Sequence, residues 1–77
     1  MEHSPPFSDE RLMAELGWVR ALARQLVSDA GLAEDVVQET WLLARERPPR
    51  TRELLEGTVL AGLHYEIGRE RLEMIRK

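Results

Sequence analysis

The chain has no cysteine, which excludes disulfide staples and thiolate chemistry and leaves the redox compartment unmarked. No apolar run approaches the roughly 20 residues that a membrane span needs, and the N-terminus lacks the pattern of a signal peptide. No membrane association and a cytoplasmic location are therefore expected. A surplus of positive charge is also missing. The net charge is −3 and the pI is about 5.3, whereas autonomous nucleic-acid binders carry a basic patch and a high pI. Only the last third leans basic, by a single charge, so tight DNA binding by this chain alone is not expected. Aromatic residues make up just 5%. Trp18 and Trp41 are of a type that stacks on bases, but both fall on or beside apolar stripes and are expected to pack in the core.

The residues of an active site are equally scarce. The two histidines, His3 and His64, lie far apart in sequence. His64 stands at the wrong offset from Glu66 for a helical ligand pair, and no second His or Cys cluster completes a metal site. No repeated Glu-x-x-His pair suggests a di-iron bundle, and Gly57, Gly62 and Gly68 match no phosphate-binding loop. Ser4, Ser8 and Ser28 read as arm or cap residues. The sequence gives no reason to expect an enzyme, a metal site or a cofactor.

What is present is helical patterning. Hydrophobic residues at 43% and charged residues at 32% describe a foldable chain. Its 77 residues suffice for one small domain that buries only about 60% of its unfolded surface. Residues 1–7, with two prolines, are expected to form a flexible arm. Residues 8–77 are expected to form one all-α domain of three helices, an αα-hairpin over 8–47 followed by a third helical segment over 50–77. Ser8 is a good N-cap, and Asp9 and Glu10 complement the helix dipole. Leu12, Leu16, Val19, Ala23 and Leu26 then recur at helical spacing, flanked by Trp18 and Leu22, which predicts a first helix from Asp9 to about Ser28. Ser28, Asp29, Ala30 and Gly31 supply the turn, with Gly31 stopping one helix and admitting the next. Arg20 and Arg24 form an i, i+4 basic pair, expected to be solvated or paired within the helix.

The second helix should end before Pro48-Pro49, and Thr51 can cap the third. Leu54, Leu55, Val59, Leu63 and Ile67 continue an apolar stripe there. Gly57, Gly62 and Gly68 each cost about 1 kcal/mol relative to alanine, and each is a point where the helix can kink or break. A homodimer pairing the Leu55, Val59, Leu63 and Ile67 stripe would enlarge the small core.

The most informative stretch is Leu32 to Glu46. Wound as a helix, it places Asp35, Gln38, Glu39 and Leu42 on one stripe at i, i+3, i+4 and i+7. Ala33, Val37, Thr40, Trp41 and Ala44 occupy another stripe, suited to burial. One face can pack. The other sets two carboxylates and an amide around an exposed leucine and looks like a docking surface.

Residues from about Leu12 to Arg47 resemble region two of bacterial sigma factors of the extracytoplasmic-function type. The resemblance rests on the Arg-containing run Trp18-Val19-Arg20-Ala21-Leu22-Ala23-Arg24-Gln25-Leu26, and most strongly on Ala33-Glu34-Asp35-Val36-Val37-Gln38-Glu39-Thr40-Trp41-Leu42. It implies a role in transcription initiation. Asp35, Gln38, Glu39 and Leu42 would bind the clamp helices of the RNA polymerase β′ subunit, and an anti-sigma protein is a further candidate partner. The segment after Pro48-Pro49 departs from the family's aromatic, basic promoter-melting pattern. Only Tyr65, Arg69 and Arg71 stand as substitutes, so Arg69 and Arg71 are the DNA-binding candidates, and promoter DNA is expected to bind weakly or within a holoenzyme. Two alternatives stay open. One is a regulatory or structural helical module that self-associates or binds a protein through its third helix. The other is a fragment reading single-stranded promoter DNA.

Overall fold

The computed structural model describes residues 5–76 and shows three α-helices in sequence: α1 (Asp9–Leu26), α2 (Ala30–Glu46) and α3 (Arg52–Arg76). The all-α class and the three-helix order match the periodicity of the sequence. α1 and α2 form an antiparallel hairpin, and α3 lies chiefly along α2.

Each helix starts on the side chain of a polar residue. The Ser8 hydroxyl accepts a hydrogen bond from the Arg11 N–H at 3.1 Å, the Asp29 carboxylate accepts from the Leu32 N–H at 2.8 Å, and the Thr51 hydroxyl accepts from the Leu54 N–H at 3.1 Å. Each bond satisfies one of the N–H groups that a helix start leaves without a partner. α1 stops two residues short of Ser28. Val27 is already extended, which frees Asp29 to cap α2. Gly31 is no terminator; it lies in the first turn of α2 with an ordinary φ. A Cβ there would come within 3.2 Å of the capping Asp29 carboxylate.

The core joins Leu12, Val19 and Ala23 of α1 to Ala33, Val36, Val37 and Ala44 of α2 and Leu55 and Val59 of α3. Trp18 and Trp41 pack half-buried against it. Thr40 is buried at no polar cost, because its hydroxyl donates to the Val36 carbonyl one turn back at 2.7 Å. Gly62 sits where α3 passes close to α2. A Cβ at that position would meet the Thr40 hydroxyl at 3.1 Å and the Thr40 nitrogen and Val36 carbonyl at 3.4 Å. The glycine admits the neighbouring helix, and α3 runs 25 residues with none of the breaks its glycines suggested.

Two expectations need correction. Of the flexible arm expected over residues 1–7, Met1 to Ser4 lie outside the described residues, and Phe7 is only 9% exposed. Its N–H donates to the Pro49 carbonyl at 2.7 Å, and the Arg11 guanidinium lies 4.3 Å over its ring. The N-terminal segment thus closes over the α2–α3 connection. The second correction concerns the stripe assigned to a homodimer. Leu55 and Val59 are fully buried in this chain's own core, and Leu63 packs against that core. Only Ile67, 39% exposed, reaches the surface. A dimer built on that stripe would have to open the domain.

Beyond Ile67 every described side chain of α3 is exposed, including Leu72, Met74 and Ile75. A 25-residue helix spans about 37 Å, and its distal part extends the molecule to 51 × 20 × 18 Å.

Candidate functional site

Burial of one side of α2 decides what the other side presents. Ala33, Val36, Val37, Thr40 and Ala44 face the core, which turns Asp35, Gln38 and Leu42 outward and leaves Glu39 half-buried. Leu42 is 54% exposed. The four residues grouped by spacing therefore lie on one stripe of α2, three of them exposed and Glu39 half-buried.

On α3 stands Glu66, which the sequence did not single out. It is only 4% exposed. Burial above all, and then the charges of Asp35 and Glu39, push the Glu66 carboxyl above its ordinary range, against the opposing pull of Arg69. The Arg69 guanidinium stands 3.5 Å from Glu66, so this DNA-binding candidate is engaged at the acidic site. Arg71 is exposed further along α3. Tyr65 and His64 are exposed too.

A second buried carboxylate ties the helices together at the opposite end of α3. Glu15 of α1 accepts from Arg52 of α3 and, at 3.0 Å, from Arg11. These two hydrogen bonds, Arg52 first, hold its carboxyl below the usual range despite burial. Arg52 also covers Trp18, 4.8 Å from the ring centre. On the surface, Arg20 grips Glu34 of α2 through two bonds of 2.7 and 3.2 Å, so it pairs between helices rather than within one. Among the described residues no group of three or more His, Cys, Asp or Glu side chains is disposed to hold a metal ion. None of the helices, over the same residues, is long and apolar enough to cross a membrane.

Residues 12–53, more than half of the chain, match the family model for sigma-70 region 2, and the chain belongs to that family. The family is a transcription-factor domain, not a catalytic one, and it places the chain in transcription initiation in association with RNA polymerase. The match takes in α1 from Leu12 onward, all of α2 and the start of α3 as far as Glu53, including the whole Asp35–Leu42 stripe. Searches of curated proteins and of solved structures give no significant match.

Proposed function

We propose that this chain is a region-two module of the extracytoplasmic-function type that docks on the clamp helices of the RNA polymerase β′ subunit through α2. The observation that supports this reading is the stripe of exposed Asp35, Gln38 and Leu42 with half-buried Glu39, lying wholly within the family-matched segment and backed by a packed core face. Carboxylates at Asp35 and Glu39 suit arginines on the partner, because charge-assisted bonds to guanidinium groups are strong and geometrically selective. Gln38 can donate and accept, and Leu42 adds apolar contact. The acidic face also speeds encounter with a basic partner.

An anti-sigma protein covering the same stripe is the natural inhibitor on this reading. Promoter DNA is a secondary ligand, bound weakly by the free chain or only within holoenzyme. Arg71 and Arg69 are its nearest candidates, and Arg69 already faces Glu66. A second reading draws on the exposed Leu72, Met74 and Ile75 of α3: a helical module that takes a protein partner there and leaves polymerase alone.

Titration of the chain with an isolated β′ clamp-helix fragment separates the two. Docking through α2 predicts micromolar binding that Gln38→Ala combined with Glu39→Arg abolishes while helicity by circular dichroism stays unchanged. Binding untouched by that pair but lost on Leu72→Asp would assign the function to α3 instead.

A further inference from the structure

α3 carries two stripes, and its own domain uses one of them. Leu55, Val59 and Leu63 serve the core. The other stripe runs through Leu54, Thr58, Ala61 and Tyr65, then Gly68, Leu72 and Ile75. Its steps alternate between four and three residues along almost the whole helix. That is the heptad period of a helix that packs lengthwise on another helix. Leu54, Tyr65, Leu72 and Ile75 are each at least 54% exposed, so this seam is uncovered in the single chain. Thr58 fits an apolar seam, because its hydroxyl already donates to the Leu54 carbonyl at 3.0 Å.

At the start of α3 the seam forms one wall of a groove of about 600 Å³, and Leu43, Glu46 and Arg47 of α2 form the other. Beyond Ile67 the seam stands alone, with every described side chain exposed. The molecule thus holds an open groove at one end of α3 and an uncovered apolar ridge at the other. We propose that α3 pairs antiparallel with α3 of a second copy, so that the ridge of each chain fills the groove of the other. A single two-fold axis covers both features in both chains, since the same surface contributes twice. The seam contains none of Asp35, Gln38, Glu39 and Leu42, so the inference goes beyond the docking reading and does not depend on it.

Side-chain size sets the register. Leu54 meets Leu72 of the second copy, Thr58 meets Gly68, and Ala61 meets Tyr65, with the axis between Ala61 and Tyr65. Large faces small at two of these layers, which is how facing positions interdigitate. Nothing lies within 4 Å of a Cβ at Gly68, so the chain's own packing does not call for glycine there, and glycine weakens a helix. Opposite Thr58 of a second copy it lets the two backbones approach. Charge agrees at the rim. The same register sets Arg69 and Glu73 of the second copy level with Glu46 and Arg47 on the groove's α2 wall, opposite signs in both cases. A seam about 32 Å long with this short rim lies at the small end of specific interfaces, which suits a dimer formed at micromolar concentration.

The test is sedimentation equilibrium of the whole chain from about 1 to 500 μM. Wild type should pass from the mass of one chain to twice that mass. Ala61→Arg, at an exposed position in the middle of the seam, should stay monomeric with its circular dichroism unchanged. Leu72→Asp, outside the core, should do the same should the first variant fail to fold. Met74→Asp, exposed but off the seam, should dimerise as wild type does. Cysteine pairs read the direction, because the chain has no cysteine of its own. Under oxidation a mixture of Leu54→Cys and Leu72→Cys should cross-link, and neither variant should cross-link by itself. A single-chain mass at every concentration would overturn the inference, and the seam would then belong to the helix of another protein. A dimer that survives both Ala61→Arg and Leu72→Asp, or Leu54→Cys linking to itself, would overturn the antiparallel pairing.

Discussion

Glu15 and Glu66 are both withdrawn from solvent, yet they set opposite pH limits. Two arginines hold the Glu15 carboxyl below its ordinary value of 4.5. Its stabilisation is complete above 4.5 and is lost as pH falls through the lowered value. Burial among acidic neighbours holds the Glu66 carboxyl above 4.5. Its contribution is complete below 4.5 and is lost as pH rises through the raised value. Denaturant melts across pH should therefore show Glu15→Gln flattening the acid limb of the stability curve and Glu66→Gln flattening the opposite limb. Losing the charged hydrogen bonds of Glu15 should also cost roughly 1–3 kcal/mol near neutrality. The glycines give a sharper contrast. Nothing lies within 4 Å of a Cβ at Gly57, so Gly57→Ala should gain about 1 kcal/mol in helix propensity. Gly62→Ala makes the same gain but sets a methyl 3.1 Å from the buried Thr40 hydroxyl. That hydroxyl is held by its bond to the Val36 carbonyl at 2.7 Å and cannot swing away freely, so overpacking of about 1–3 kcal/mol should outweigh the gain. Opposite shifts in thermal midpoint check both.

The helices themselves were readable because their signals are local. Apolar spacing and polar caps act within a turn or two, and Ser8 and Thr51 cap as their positions suggest. Replacing either by alanine should cost about 1 kcal/mol. The Asp35–Leu42 stripe was readable for the same reason, since side chains at i, i+3 and i+4 must share a face. Burial of Glu15 and Glu66 was not. In a helical pattern a glutamate looks solvated until its partners arrive, and Arg52 stands 37 positions from Glu15. Phe7 escaped notice likewise, because Pro49, which fixes it, is brought near only by the fold. The misassigned dimer stripe shows the other side of this rule: periodicity reveals that Leu55 and Val59 want cover, but not that α1 and α2 provide it. Leu55→Ala should accordingly cost about 2–5 kcal/mol, while Leu72→Ala on the exposed end of α3 should stay within about 0.5 kcal/mol.

As a whole the molecule is a small packed hairpin with a long helix laid along it. Part of that helix packs the core, and the rest runs past it. Such a chain has a narrow stability margin, so a bound partner should raise its thermal midpoint by mass action. The division of labour along α3 matters for where that partner sits. Its stretch up to Glu66 completes the core and runs beside α2, while the stretch beyond Ile67 offers exposed apolar residues. Mapping amide shift changes in the isotopically labelled chain as the β′ clamp-helix fragment is added tests the docking claim most directly. The account predicts changes concentrated from Asp35 to Leu42. Changes confined to Arg71–Ile75, with the α2 stripe silent, would contradict it.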